Sequence, residues 1–368
     1  MAWIDQFLKV LVQHGGSDLH LSCGSPPIMR VHGHLHRIKY PDLTHEQITG
    51  LIHEILLDHQ RESFTATRDL DFAYEIPKVA RFRGNCFHQH RGPAAVFRVI
   101  PSRVLSADEI ELPDAIRRFT DLNKGLVLVT GPTGSGKTTT LAAMIDLINS
   151  TRPEHILTIE DPIEFVHQSK KALVNQREVG PHTKSFAAAL KASLREDPDV
   201  ILIGEMRDRE TISLALTAAE TGHLVFGTLH TNSAHKTVDR IIDTFPGDLQ
   251  EQVRAMLAES LRGVVAQQLL RKKGGKGRVA AHEIMVGTPA VSNMIREGKT
   301  FQIPSMIQTG KKDGMVLMDQ SIRDLLMAGV VDEDEAIAKA NDKNAFEKDR
   351  GGVLLSGGRL EPATPARR

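Results

Sequence analysis

The polar and apolar positions of this 368-residue chain change rhythm near residue 123. Before that point, short alternating runs are punctuated by Gly and Pro. Ser17–Ser22, Ile28–Gly33, Asp71–Glu75, Ala80–Asn85 and Ala95–Ile100 read as strands, the second entering a hairpin at Gly33. Two helices accompany them. Trp3, Ile4, Phe7, Leu8, Leu11 and Val12 fall on one face of the first, and its opposite face carries Asp5, Gln6, Lys9 and Gln13. That face lacks the basic charge of a membrane-surface helix, so the apolar side is expected to pack on its own domain. The second runs from about His45 to His59, with Ile48, Leu51, Ile52, Ile55 and Leu56 on one stripe. Residues 1–100 therefore form an expected α+β domain, and Pro101 to Leu122 a Pro-punctuated linker.

From Asn123 the strands become uninterrupted apolar runs of the kind buried on both faces. Leu126–Thr130, Ile156–Ile159, Val200–Ile203 and Leu224–Thr228 alternate with helices expected over Lys137–Asn149, Ser185–Glu196, Glu210–Thr221 and Ser233–Thr244. This order predicts a parallel sheet with helices on both faces. The stripe Val253, Met256, Leu257, Leu261, Val264, Val265 and Leu269 predicts one long helix over Leu249–Leu270. A strand Val279–Met285 follows. The expected core spans 123–290 and C-terminal helices 291–344, while 345–368, rich in Gly, Pro and Arg, reads as a disordered tail.

Composition narrows the function. Lys+Arg and Asp+Glu are both 46, and aromatics are 4%, which weighs against a nucleic-acid or lipid coat. Cys23 and Cys86 alone allow neither a disulfide framework nor a paired C-x-x-C zinc knuckle, and a reducing, cytoplasmic setting fits. The first residues lack the pattern of a signal peptide, and no apolar run is long enough to span a bilayer.

Gly131-Pro132-Thr133-Gly134-Ser135-Gly136-Lys137-Thr138, followed by Thr139, satisfies G-x-x-x-x-G-K-[ST] between an expected strand and an expected helix. Its backbone amides would cradle ATP phosphates, Lys137 would meet the β/γ-phosphates, and Thr138 would ligate Mg²⁺. Such a site needs an acid at the end of a second strand. Glu205 supplies one after Gly204, and a second acidic group, Glu160, Asp161 and Glu164, follows Ile156–Ile159. One carboxylate near the metal and one polarising water is the expected division, with the assignment open. His223 and His230 bracket the strand Leu224–Thr228 and are candidates for sensing the γ-phosphate. Arg195, Arg207 and Arg240 in the core, and Arg81, Arg83 and Arg98 in the first domain, are candidates to complete a neighbouring subunit's site. His32, His34 and His36 share a strand face, read as a half-exposed hairpin. Lys272, Lys273, Lys276 and Arg278 lie among glycines and read as a solvated loop.

At these residues the chain resembles the secretion ATPase superfamily and, within it, the retraction motors of type IV pili. The resemblance runs from Trp3 to about Lys339. It rests on Ser-Asp-Leu-His-Leu at 17–21, Ala-Arg-Phe-Arg at 80–83, the loop 131–138 and Thr-Ile-Glu-Asp-Pro-Ile-Glu-Phe-Val-His at 158–167. Leu-Arg-Glu-Asp-Pro-Asp at 194–199, Gly-Glu-Met-Arg-Asp at 204–208 and the fifteen residues from Thr217 to Thr231 complete it. It implies a PAS-like N-terminal domain, a RecA-like ATPase domain and a homo-hexameric ring. That ring would sit at the cytoplasmic base of a pilus machine, passing motion to an inner-membrane platform protein and through it to pilin. It also implies roles: Glu164 as catalytic glutamate, Glu205 as Walker B glutamate near Mg²⁺, and His223 and His230 as a histidine box. Related assembly ATPases carry an added domain and a four-cysteine zinc site not found here. The segment 290–297, Ala-Val-Ser-Asn-Met-Ile-Arg-Glu, departs from the family's Ala-Ile-Arg-Asn-Leu-Ile-Arg-Glu by placing Ser292 where an arginine is usual. That leaves an accessory retraction paralogue as an alternative.

Overall fold

A computed structural model describes residues 2–347 apart from His32, Pro101, Ser102 and Lys276. The N-terminal domain is built on a six-stranded antiparallel sheet: β1 (Asp18–Ser22), β2 (Ile28–Val31), β3 (His34–Arg37), β4 (Asp69–Ile76), β5 (Ala80–Gln89) and β6 (Gly92–Ile100), in spatial order β3-β2-β1-β6-β5-β4. The alternation of Leu19 and Leu21, and of Phe72, Phe82 and Phe97, turns one face inward against the helices Ile4–Gln13 and His45–Ile55. Ile4, Leu8, Leu11, Ile48 and Ile52 are buried there, as the stripes predict. The expected helix at 45–59 ends early, because Leu56 and Leu57 turn extended and a separate helix, Asp58–Thr67, begins. His34 and His36 lie exposed on β3, and His32 falls outside the described residues.

The second sheet contains β7 (Gly125–Thr130), β8 (His155–Glu160), β9 (Leu173–Glu178), β10 (Val200–Ile203), β11 (Leu224–Leu229), β12 (Leu261–Arg271) and β13 (Arg278–Val286). Its order is β13-β12-β7-β11-β10-β8-β9, parallel throughout except that β13 runs back along β12. Leu126, Leu128, Ile201, Ile203 and Val225 face the helices Phe186–Ser193, Arg209–Glu220, Ala234–Asp243 and Gln250–Ser260. Val127, Val129, Leu202 and Phe226 face the opposite way, onto the helix Lys137–Thr151. The domain is RecA-like and the first is PAS-like, as the resemblance implies. Between them, Ala107, Leu112, Ile116 and Phe119 pack into the second sheet's core, so this part of the expected linker is seated.

Two expectations are corrected. The single helix over Leu249–Leu270 stops at Ser260, and Leu261 onward is β12. Gly263-Val264-Val265-Ala266-Gln267 is buried on both faces, and an added Cβ at Gly263 would stand 2.2 Å from the Phe119 ring. An apolar run buried on both sides carries no period of its own, so its match to a helical stripe is coincidental. The tail expected from 345 is corrected at its start, since Phe346 is buried with the Arg323 guanidinium over its ring. The remainder of that expected tail, from 348 onward, lies outside the described residues. The C-terminal helices Met318–Met327 and Glu333–Lys339 lie against β12 and β13 through Ala266, Leu270, Ala281, Ile322 and Ala336.

Candidate nucleotide-binding site

The loop 131–136 joins β7 to the helix Lys137–Thr151, at the carboxyl end of the parallel strands. Gly131, Gly134 and Gly136 have φ of 145°, 79° and 90°, a region that side chains disfavour. Cβ atoms at Gly131 and Gly136 would also meet Gln267, at 2.3 and 2.8 Å. Pro132, Thr133 and Gly134 are exposed at the crest, and Ser135 is buried with its hydroxyl lacking a partner. Gly136 caps the helix without a side-chain bond, leaving its first amides to a ligand. The Lys137 ammonium donates to the carbonyls of Gly131 at 2.8 Å and Pro132 at 3.2 Å. Burial draws it below its usual range, opposed by the charges of Glu205 and Glu164. This donor set, with glycines where a Cβ would intrude, fits a polyphosphate.

Gln267 supports the loop from behind. Its amide donates to the Ser135 carbonyl at 2.8 Å and its oxygen accepts from the Thr140 hydroxyl at 2.8 Å. It is buried in the middle of β12. Reading this segment as a helix hides it; the Gln267-Gln268 pair that interrupts an apolar run is the signal that points to it.

Glu205 follows β10. Thr228 on β11 fixes the backbone on either side of it, donating its hydroxyl to the Gly204 carbonyl at 2.6 Å and accepting the Met206 amide at 3.0 Å. Arg207 pairs with both Glu205 oxygens, at 2.6 and 2.7 Å, and His230 Nε2 lies 3.0 Å from Oε1. Burial pushes the Glu205 carboxyl upward, but Arg207 and His230 outweigh it and hold the group below the usual range. Glu205 is therefore ionised at neutral pH.

The second acidic group divides. Glu160 is buried, and burial raises its pKa against the support of the Thr158 hydroxyl at 2.6 Å and the Gln176 amide at 3.1 Å. With Thr138, His167, Gly204 and Thr228 it lines a cavity of about 40 Å³. Asp161 is exposed, and Glu164 is half-buried, near enough for its charge to act on Lys137. Thr138 and Thr139 occupy the first turn of the helix. Among the described residues no group of three or more His, Cys, Asp or Glu could hold a metal. The Thr138 hydroxyl and the ionised Glu205 are oxygen donors of the kind that would hold Mg²⁺ beside a bound polyphosphate.

His223 is not brought to this cluster. It stands at the opposite, amino end of β11, its Nδ1 3.0 Å from the Ala218 carbonyl. Six strand residues, about 20 Å, separate it from the His230 end. The arginines also divide. Arg207 is bound to Glu205, and Arg81 is bound to Glu178 at 2.8 Å within the chain. Arg98 is largely exposed while pairing with Asp18 at 2.7 Å, and Arg83 stands 3.9 Å from Asp71. Arg195 and Arg240 are exposed, their guanidinium groups unpaired among the described residues.

The family model for type II/IV secretion system proteins matches residues 1–338. The chain belongs to this family. Among its members, a type IV pilus retraction ATPase, PilT, of Pseudomonas aeruginosa is 57% identical over 343 residues, covering 93% of this chain and 99% of the relative. A twitching motility protein of Neisseria gonorrhoeae is 57% identical over 320 residues, 87% of this chain and 86% of that one. A solved structure of the pilus retraction motor PilT with bound ADP matches with a TM-score of 0.87 and 45% identity over 95% of this chain and 99% of that one. The secretion-family assignment thus embraces both domains, and it brings the family's ATPase activity with it. No helix among the described residues is long and apolar enough to cross a membrane.

Proposed function

We propose that this chain is the subunit of a hexameric, Mg²⁺-dependent ATPase ring that powers retraction of type IV pili and so twitching motility. The observation that carries this reading is the meeting of Lys137, Glu164 and Glu205 at one phosphate loop, in a chain that spans 99% of a pilus retraction ATPase. The loop amides and Lys137 bind and orient the triphosphate. Mg²⁺, held at Thr138 with Glu205 near it, would neutralise charge on the phosphate oxygens. Glu164 polarises the attacking water, and His230, bonded to Glu205, senses the γ-phosphate side of the site. Exposed arginines, Arg195 and Arg240 first and then Arg83 and Arg98, are available to a neighbouring subunit's nucleotide. The ring works at the cytoplasmic face of the inner membrane, docked on a platform protein that passes motion to pilin.

Purified protein is expected to hydrolyse ATP only with Mg²⁺, without stimulation by DNA or RNA. Lys137→Ala and Glu164→Gln should abolish turnover. Full turnover in Glu164→Gln would reject its role, and strong salt-dependent stimulation by nucleic acid would point instead to a nucleic-acid motor. Deleting the gene in the native host should leave pili in place but remove surface motility; loss of pili would indicate assembly.

A further inference from the structure

The half-buried Glu164 sits on the loop that follows Glu160, the last residue of β8, and that loop has little regular structure of its own. Its support comes from β9, the edge strand beside β8. Gln176 and Glu178 are two residues apart on β9 and so face the same side. Gln176 takes the far flank of Glu164: its amide donates to the Phe165 carbonyl at 2.9 Å, and its oxygen accepts the His167 amide at 2.7 Å. Glu178 takes the near flank, accepting the Ile163 amide at 3.0 Å on Oε2. The same Oε2 accepts from Arg81 Nη2 at 2.8 Å. Arg81 belongs to β5, in the N-terminal domain. The pair is well sheltered, with side-chain exposures of 19% for Arg81 and 7% for Glu178. One buried oxygen atom therefore joins the first domain to the residue immediately preceding the catalytic loop's glutamate.

We infer that Glu178 is a positioning residue through which the N-terminal domain sets the placement of Glu164. Glu178 touches neither phosphate nor reacting atoms; it acts through the Ile163 amide. When Arg81 is engaged, the carboxylate is neutralised and oriented, and Ile163 is held. When the two domains move apart and Arg81 withdraws, Glu178 is left a sheltered charge without its partner, which is strongly unfavourable. The carboxylate then reorients toward water and releases the flank of Glu164. Domain movement is thereby tied to the geometry of the hydrolytic residue in the same subunit. The catalytic part of this inference rests on the reading of Glu164 given above, whereas the mechanical part does not.

Hydrogen exchange of the segment 161–167 in the full chain tests the mechanical part directly, because the Ile163 amide is itself the bonded group. Arg81→Ala and Glu178→Ala should each speed its exchange about tenfold, and the double variant should be no faster than the faster single. Glu178→Gln keeps an acceptor for Ile163 but loses the charge, so it should fall between wild type and Glu178→Ala. It also serves if the alanine variant does not fold. In the same samples Glu178→Gln should lower kcat at unchanged KM for ATP. The coupling is overturned if Arg81→Ala leaves the segment at its wild-type rate, or if the double variant multiplies the single effects. An unchanged kcat in Glu178→Gln overturns the positioning role. If exchange responds as expected but Glu164→Gln still hydrolyses ATP, the assignment of Glu164 fails and the coupling stands.

Discussion

Gln267 holds the Ser135 carbonyl at 2.8 Å, so a residue 132 positions further along the chain shapes the turn that would receive phosphate. The same side chain accepts from Thr140 one turn into the following helix, bracing loop and helix together. Gln267→Ala removes both bonds and leaves a buried carbonyl and hydroxyl unpaired, at roughly 1–3 kcal/mol each in a rigid site. The expected result is ATP affinity weakened about tenfold or more, with a smaller loss of thermal stability. Titration with a fluorescent nucleotide measures the first and melting the second. Gln267→Glu should be worse than alanine, since it lacks the donor to Ser135 and buries a charge.

Gly136 offers a second handle on the same turn. Its φ of 90° and the 2.8 Å approach of Gln267 Nε2 to an added Cβ both oppose a side chain. Gly136→Ala should distort the loop by an amount worth about 1–3 kcal/mol. Nucleotide binding should fall while the N-terminal domain's circular dichroism and exchange remain those of the wild type.

The Arg207 pairing with Glu205 gives a pH test. Because the Glu205 carboxyl is depressed from its ordinary 4.5, its stabilising contribution is complete above that value and fades as pH falls through the lower folded value. Arg207→Ala removes the largest of the supports that hold it down. The acid limb of the ATPase profile should therefore move to higher pH, while global stability changes by no more than about 1 kcal/mol, Arg207 being exposed. An acid limb unmoved by Arg207→Ala would show that Glu205 ionisation does not control it.

His282, fully buried on β13, is pushed down to about 4 from 6.5 by burial alone. Between those values the unfolded chain binds a proton that the folded one does not, so this histidine makes stability fall as pH drops from 6.5 toward 4. The full effect is roughly 3 kcal/mol. His282→Gln should flatten that slope. Denaturant titrations of both proteins between pH 7 and pH 4 give the difference, which isolates this group from the oppositely shifted Glu160 and Glu283.

Much of this was legible in the sequence because its elements are strongly patterned. The apolar strands Leu126–Thr130 and Val200–Ile203 and the glycine loop announce their places through local chemistry alone, and the structure puts Lys137, Glu164, Glu205 and His230 around that loop. What escaped is long-range. Leu173–Glu178 reads Leu-Val-Asn-Gln-Arg-Glu, too polar to announce a strand, and its role emerges only when Gln176 and Glu178 are seen against the acidic loop. His223 is seven residues from His230, and sequence proximity says nothing of which end of a strand each will occupy. Arg81, by sequence a candidate for another subunit's nucleotide, pairs with Glu178 across 97 residues within its own chain, a contact no local pattern announces.

The position of β12 matters for anyone dissecting this protein into parts. A fragment cut after Ser260 would keep the phosphate loop, both acidic groups and both histidines, and would pass any test based on motifs. It would lack β12, which flanks β7 on the side away from β11 and carries Gln267. Such a fragment should retain the signature of a nucleotide site without its shape. Any fragment meant to keep the shape of the phosphate loop therefore has to reach at least through β12, and portability is set by strand pairing, not by where the recognisable residues end.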